Sequence, residues 1–177
     1  MKARLALLLV ATAAATAGSA AGAPAPYVIQ GDTNVGGVRI ARADLADARA
    51  RFGPPSATRR DQAVACVASW RRLGLTLTFL DLSGRNPCRA GALIRATITS
   101  RGGWRTAKGL RKGDSVARLQ RLYPRAAYRR HIVPWTGYWL VTRRACELGG
   151  YEPFPGLLAR VRNGRVAALV AATTACE

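Results

Sequence analysis

The chain has 177 residues, 28 Lys plus Arg against nine Asp plus Glu, a single His, and a formal net charge of +19. That length suits one domain with an ordinary core. One His and few carboxylates exclude a His-built zinc site and leave little for acid–base catalysis, whereas the charge favours anionic partners.

The first expected element is a secretory signal over residues 1–21. Lys2 and Arg4 supply a positive start, and Leu5 to Ala17 is an uncharged, mostly apolar run. Gly18-Ser19-Ala20-Ala21 then offers the small residues needed for cleavage after Ala20 or Ala21. The run is shorter than the roughly 20 residues of a spanning helix, and no later stretch is long and apolar enough to cross a bilayer. Residues 22–36 read as a flexible lead-in around the apolar island Tyr27-Val28-Ile29.

Asp44 is a good N-cap, and Leu45, Ala48 and Phe52 follow on one face of a short helix that Gly53-Pro54-Pro55 stops. Asp47 reads as a solvated residue of that helix. Ala63 to Trp70 and Leu75 to Leu80 are β-prone runs, the second alternating Leu and Phe with Thr; Leu93 to Thr99 is a third strand. About seventy residues after the first cap, Ser115 caps a second helix with Val116, Leu119 and Tyr123 on its apolar face and Pro124 as its stop. The lead-ins Gly37-Val38-Arg39 and Gly109-Leu110-Arg111 correspond as well. Strands are expected over Gly137 to Arg143, Leu157 to Arg162 and Arg165 to Ala172, the last two joined by Asn163-Gly164. Asn-Gly between apolar runs predicts a type I′ hairpin, since both turn positions need positive φ. The register then pairs Arg162 with Arg165, Val161 with Val166, Ala159 with Ala168 and Leu157 with Val170, and the last six share the core face.

These elements predict an α+β fold. Two tandem helix–three-strand repeats, 37–103 and 104–177, would form a mainly antiparallel sheet with the helices on one face, as one compact domain. In an oxidising compartment Cys66, Cys88, Cys146 and Cys176 read as two disulfides. Of the three pairings, the duplication prefers Cys66–Cys88 and Cys146–Cys176. No two cysteines have zinc-ligand spacing, so neither a metal nor a cofactor is expected.

The segment Gly109-Leu110-Arg111-Lys112-Gly113-Asp114-Ser115-Val116, continuing to Tyr123-Pro124, resembles the helix-opening turn of the BamE/SmpA and β-lactamase-inhibitor-protein group. The whole layout is similar to secreted actinobacterial proteins with a duplicated α-then-β order. In the first copy Ala41 stands where that turn carries Gly, and Asp44 replaces Ser. The resemblance implies a fold and an envelope location and carries over no catalytic residue.

His131 sits in the basic run Tyr128-Arg129-Arg130-His131 and reads as a loop residue. Glu147 and Glu152 flank Gly149-Gly150 and are the nearest approach to a carboxylate pair. No GxSxG, P-loop or HExxH motif occurs, so no catalytic residue is assigned. Candidate binding residues are Arg160, Arg162 and Arg165 on the last hairpin, together with Trp135, Trp139, Arg143 and Arg144, because Trp beside Arg makes a stacking platform. Trp70 and Trp104 read as core. The expected function is a secreted, disulfide-stabilised, non-enzymatic binding module of the cell envelope. Its expected partner is an anionic wall polymer, an anionic lipid surface or an extracellular protein. The alternatives are an inhibitor of a secreted enzyme and a small hydrolase using Glu147 and Glu152. No nucleic-acid recognition motif is present.

Overall fold

A computed structural model describes residues 27–100, 103–130, 135–147 and 150–173. The expected signal, His131 and Cys176 lie outside these residues. In chain order come β1 (Tyr27–Gln30), β2 (Asn34–Val35), β3 (Val38–Arg39), α1 (Leu45–Phe52), β4 (Ala57–Asp61), β5 (Ala65–Trp70), a 3-10 turn (Arg71–Leu73) and β6 (Leu75–Leu80). Then follow α2 (Pro87–Ala90), β7 (Ala92–Ile98), β8 (Trp104–Thr106), α3 (Val116–Leu122), β9 (Ala127–Arg129), β10 (Gly137–Glu147), β11 (Gly150–Arg162) and β12 (Arg165–Ala172).

The predicted helix–three-strand repeats are corrected. The chain is mainly β, arranged as a four-stranded sheet ordered β3-β2-β1-β8 and an eight-stranded sheet ordered β4-β5-β6-β7-β12-β11-β10-β9. Two features hid this arrangement. β4 and β9 are edge strands with the exposed sequences Ala-Thr-Arg-Arg-Asp and Ala-Tyr-Arg, so neither shows an apolar period. The small sheet is made of two- to four-residue strands, too short to carry a pattern. The helices are also too small to cover a sheet this wide, at eight, four and seven residues. The small sheet supplies the rest of the cover. Ile29, Val35 and Val38 from it, Leu45 and Ala48 from α1, and Leu119 from α3 share one core with Leu75, Leu77, Phe79, Leu93, Ala96 and Ile98 of the large sheet. The stretch 27–35, read as lead-in, thus contributes Ile29 and Val35 to the core, with Tyr27 packed against it.

Both predicted caps form. Asp44 accepts from the Asp47 amide at 2.9 Å, and the Asp47 carboxylate accepts in return from the Asp44 amide at 3.2 Å, a capping box. Ser115 accepts from the Arg118 amide at 3.2 Å. An aromatic group ties the layers together: Tyr27 stacks on Trp104 at 4.7 Å, and Phe52 meets Trp70 edge-on at 5.9 Å. The two indole N–H groups are also satisfied. Trp70 donates to the Gly53 carbonyl and Trp104 to the Leu73 carbonyl, each at 2.9 Å.

The Asn163-Gly164 hairpin forms with φ of 51° and 68° at its two turn residues. Arg162 opposes Arg165 and Val161 opposes Val166 as predicted. Beyond them a bulge shifts the register, so Arg160 opposes Ala168, Ala159 opposes Leu169 and Leu157 opposes Ala171. The expected core face is corrected accordingly. Leu169 and Ala171 face the main core, whereas Val170 turns to the other side with Leu158. Ala168, two residues from Val170, turns with it. The hairpin tip is fastened to the turn before α3: Gly113 and Val116 donate to the Val166 and Gly164 carbonyls, and Val166 donates to Asp114.

Cys66 and Cys88 form a disulfide, closing β5 onto α2 over a sequence separation of 22. The Cys146–Cys176 pairing lies outside the described residues. The Cys66–Cys88 loop is worth about 3 kcal/mol in the chain-entropy picture. A Cys66→Ala/Cys88→Ala protein is therefore expected to fold with its unfolding free energy reduced by about 3 kcal/mol, read from urea denaturation.

Candidate binding face and cleft

The large sheet has one face in the core and one turned away from it. On β6, Leu75, Leu77 and Phe79 enter the core, and Thr76 and Thr78 alternate to the other side. Register carries that outer side across the sheet. Thr76 lies between Ser69 and Thr97, Thr97 beside Val170, Val170 beside Leu158, and Leu158 beside Trp139. One row thus runs from hydroxyls on β5 to β7 to apolar groups on β12 to β10. Ser69 Oγ and Thr76 Oγ1 are 3.3 Å apart. Trp139, Leu158 and Val170 form a buried apolar cluster of their own, with Trp135 packed against it. The Trp139 indole donates to the Trp135 carbonyl at 2.9 Å, and the Arg129 guanidinium lies 5.5 Å from the Trp139 ring centre. That spacing is a cation–π contact.

Next to this cluster lies a cleft of about 240 Å³, lined among others by Gln62, Thr78, Arg95, Trp135 and Phe154. Trp135 and Phe154 meet edge-on at 4.8 Å and form an aromatic wall. Arg95 comes from the middle of β7, with Thr78 opposite it on one side and Ala172 on the other. Asp61 also lines the cleft but is paired with Arg59 at 3.3 Å. An apolar wall with a guanidinium, an amide and a hydroxyl nearby suits a ligand that offers a flat surface and an anionic group.

The structure brings Trp135 and Trp139 together and separates the other predicted binding residues from them. Arg143 is held by Asp32, in the turn after β1, with Nε and Nη2 donating to the two carboxylate oxygens at 2.5 and 2.9 Å. For Arg144 only the backbone is described, paired with Pro153. Arg160, Arg162 and Arg165 are exposed, and Arg165 donates to the Gly113 carbonyl at 3.0 Å, a bond that fastens the hairpin tip. The side chains of Glu147 and Glu152 lie outside the described residues. Arg95, Phe154 and Arg129 were missed. A lone Arg inside the apolar run Ala92–Ile98 was the available signal for the first.

Every described aspartate has an internal partner. Besides Asp32 and Asp61, Asp44 and Asp47 cap α1. Asp81 accepts from the Ser83 hydroxyl and amide, and Asp114 from the Arg111 amide and the Arg118 guanidinium. The hydrogen bond from Arg143 holds the Asp32 carboxyl below the ordinary Asp range, outweighing its partial burial, and Asp32 in turn raises Arg143. The close approach needs Gly156, where a Cβ would lie 2.8 Å from Asp32 Oδ2.

Comparison with protein families, curated proteins and solved structures finds no match to this chain. The functional reading therefore rests on the geometry.

A carboxyl with a depressed folded-state pKa contributes stability that is present above its unfolded pKa and is lost as pH falls through the folded one. The stability difference between the native protein and Asp32→Asn should be constant above about pH 5 and shrink below about pH 4. Urea denaturation over a pH series reads this directly; a difference independent of pH would show that the Asp32 carboxylate does not contribute through its charge.

Proposed function

We propose that the chain is a non-enzymatic binding module working outside the cytoplasm, and that the outer sheet face and its cleft take an anionic polymer of the cell envelope. The Cys66–Cys88 disulfide suits an oxidising compartment. Among the described residues no helix is long and apolar enough to cross a membrane. The observation that carries the reading is the distribution of charge. The described aspartates are engaged within the fold, while Arg95 and Arg129 lie beside two tryptophans on a face away from the core. Guanidinium beside an aromatic ring recognises phosphate or carboxylate on a ring-bearing polymer through charge and stacking together.

A second reading, an inhibitor of an extracellular enzyme, is favoured by one feature of the same face. The half-buried Trp135 and Phe154, packed edge-on with Arg95 lining the same cleft, give an apolar patch with a polar rim, as a protein interface has.

Co-sedimentation with purified anionic wall polymer tests the first reading. Binding should fall steeply with salt, and Arg95→Gln and Trp135→Ala should each weaken it by about tenfold, as expected for a loss of about 1.4 kcal/mol. Binding that neither substitution changes would overturn the assignment of this face. Inhibition of a secreted hydrolase at micromolar protein, abolished by Trp135→Ala, would instead establish the second reading.

A further inference from the structure

On the other side of the large sheet, within the layer that covers its core face, lies a groove of about 490 Å³ between β3 and α1. Arg39 from β3, Arg42 from the following loop and Arg51 from the last turn of α1 line it. We infer that this groove is a second binding site, for a phosphate group carried on a small molecule or lipid headgroup.

The fold anchors the Arg51 side chain and the backbone that carries Arg42, and Arg39 projects from β3 beside them. Arg51 is anchored three ways. Its Nε donates to the Gly36 carbonyl at 2.5 Å, and its guanidinium lies 5.4 Å from the Tyr27 ring centre and 5.9 Å from that of Phe52. These contacts fix the plane of the guanidinium and engage Nε, leaving the two Nη groups as donors. Gly37 makes room for this arrangement, because a Cβ there would lie 2.9 Å from Arg51 Nε. Gly37 also takes φ of +104°, a conformation that favours glycine.

Arg42 is fixed from both sides. Ala41 before it donates to the Leu93 carbonyl at 2.7 Å, and Ala43 after it accepts from the Leu93 amide at 2.8 Å. Holding this loop puts Ala41 at φ of +67°, a left-handed conformation that costs a non-glycine residue roughly 1 kcal/mol. Strain of this kind persists where surrounding bonds over-determine the backbone.

Asp47 is the one carboxylate in the lining, and one of its oxygens accepts the Asp44 amide in the capping box. Three guanidinium groups against one partly engaged carboxylate leave a surplus that a phosphate dianion matches better than a single carboxylate does. Planar Arg forks also suit tetrahedral oxyanions. The volume exceeds that of phosphate alone, so a phosphate ester fits the space better than the free ion.

The test is a titration of the isotope-labelled native protein with inorganic phosphate and with glycerol 3-phosphate, at constant ionic strength set with chloride, followed by amide chemical shifts. Saturable shifts confined to residues 36–52 are expected. In Arg39→Gln/Arg42→Gln, which leaves the anchored Arg51 and the capping box intact, the affinity should fall at least about tenfold, with the thermal midpoint unchanged. Arg51→Lys, which keeps the charge and loses the fork, should also weaken binding. Absence of saturation, or phosphate binding by the double variant equal to that of the native protein, would overturn the site. Flotation with phosphatidylcholine vesicles containing phosphatidic acid, whose headgroup is a phosphate monoester like glycerol 3-phosphate, separates the sources. Retention of the native protein but not the double variant assigns the phosphate to a headgroup. Retention of neither, with glycerol 3-phosphate bound, assigns it to a soluble ester. Arg95→Gln should leave all of these responses unchanged, so this site and the outer face can fail independently.

Discussion

The antiparallel ladder between β7 and β12 joins two four-stranded meanders, β4 to β7 and β9 to β12, by their last strands. Unjoined, each meander would present a row of unpaired backbone groups. The ladder sets Ile98 beside Leu169 and Ala96 beside Ala171 in the middle of the core, with all four fully buried. The same pairing places Thr97 against Val170 on the outer face. The cleft depends on it as well, since Arg95 and Thr78 come from one meander and Trp135 and Phe154 from the other. The strands left at the two outer edges, β4 and β9, carry Arg59, Arg60 and Arg129, charges that oppose edge-to-edge pairing with a second copy.

Charge follows the same layering. Five of the six described aspartates act at fixed structural points: the cap of α1, the turn before α3, the loop after β6, and the junction of the small sheet with β10. Two kinds of arginine stand out. Arg143 and Arg165 fasten one element to another. Arg95 in the outer cleft, and Arg39, Arg42 and Arg51 in the α1 groove, border spaces a ligand could enter. Two basic sites on opposite sides of one sheet would let the domain hold a polymer and a phosphate ester at the same time.

Local signals in the chain were legible where a few neighbouring residues decide the structure. Asp44 and Ser115 as caps, Asn163-Gly164 as a turn, and the alternation of Leu75 to Phe79 all act within a turn or a strand. The edge strands were not legible, because an edge carries charge where a central strand carries apolar residues. The register beyond Val161 was lost to a bulge that no residue type announces. The binding residues were half legible for a related reason. Trp135 and Trp139 stood out by type, but an Arg that fastens and an Arg that faces open space look alike until the partner is placed. Asp32 lies 111 residues from Arg143 in the chain.

The cleft works as a site only if the large sheet, with its central ladder running beneath the cleft, is one cooperative unit. Native-state amide hydrogen exchange measures this directly. Protected amides of β7 and β12 should exchange last, with one opening free energy equal to that of global unfolding. Exchange of one meander at a lower opening free energy while the other stays protected would contradict this, because the cleft would then have no fixed wall facing Arg95.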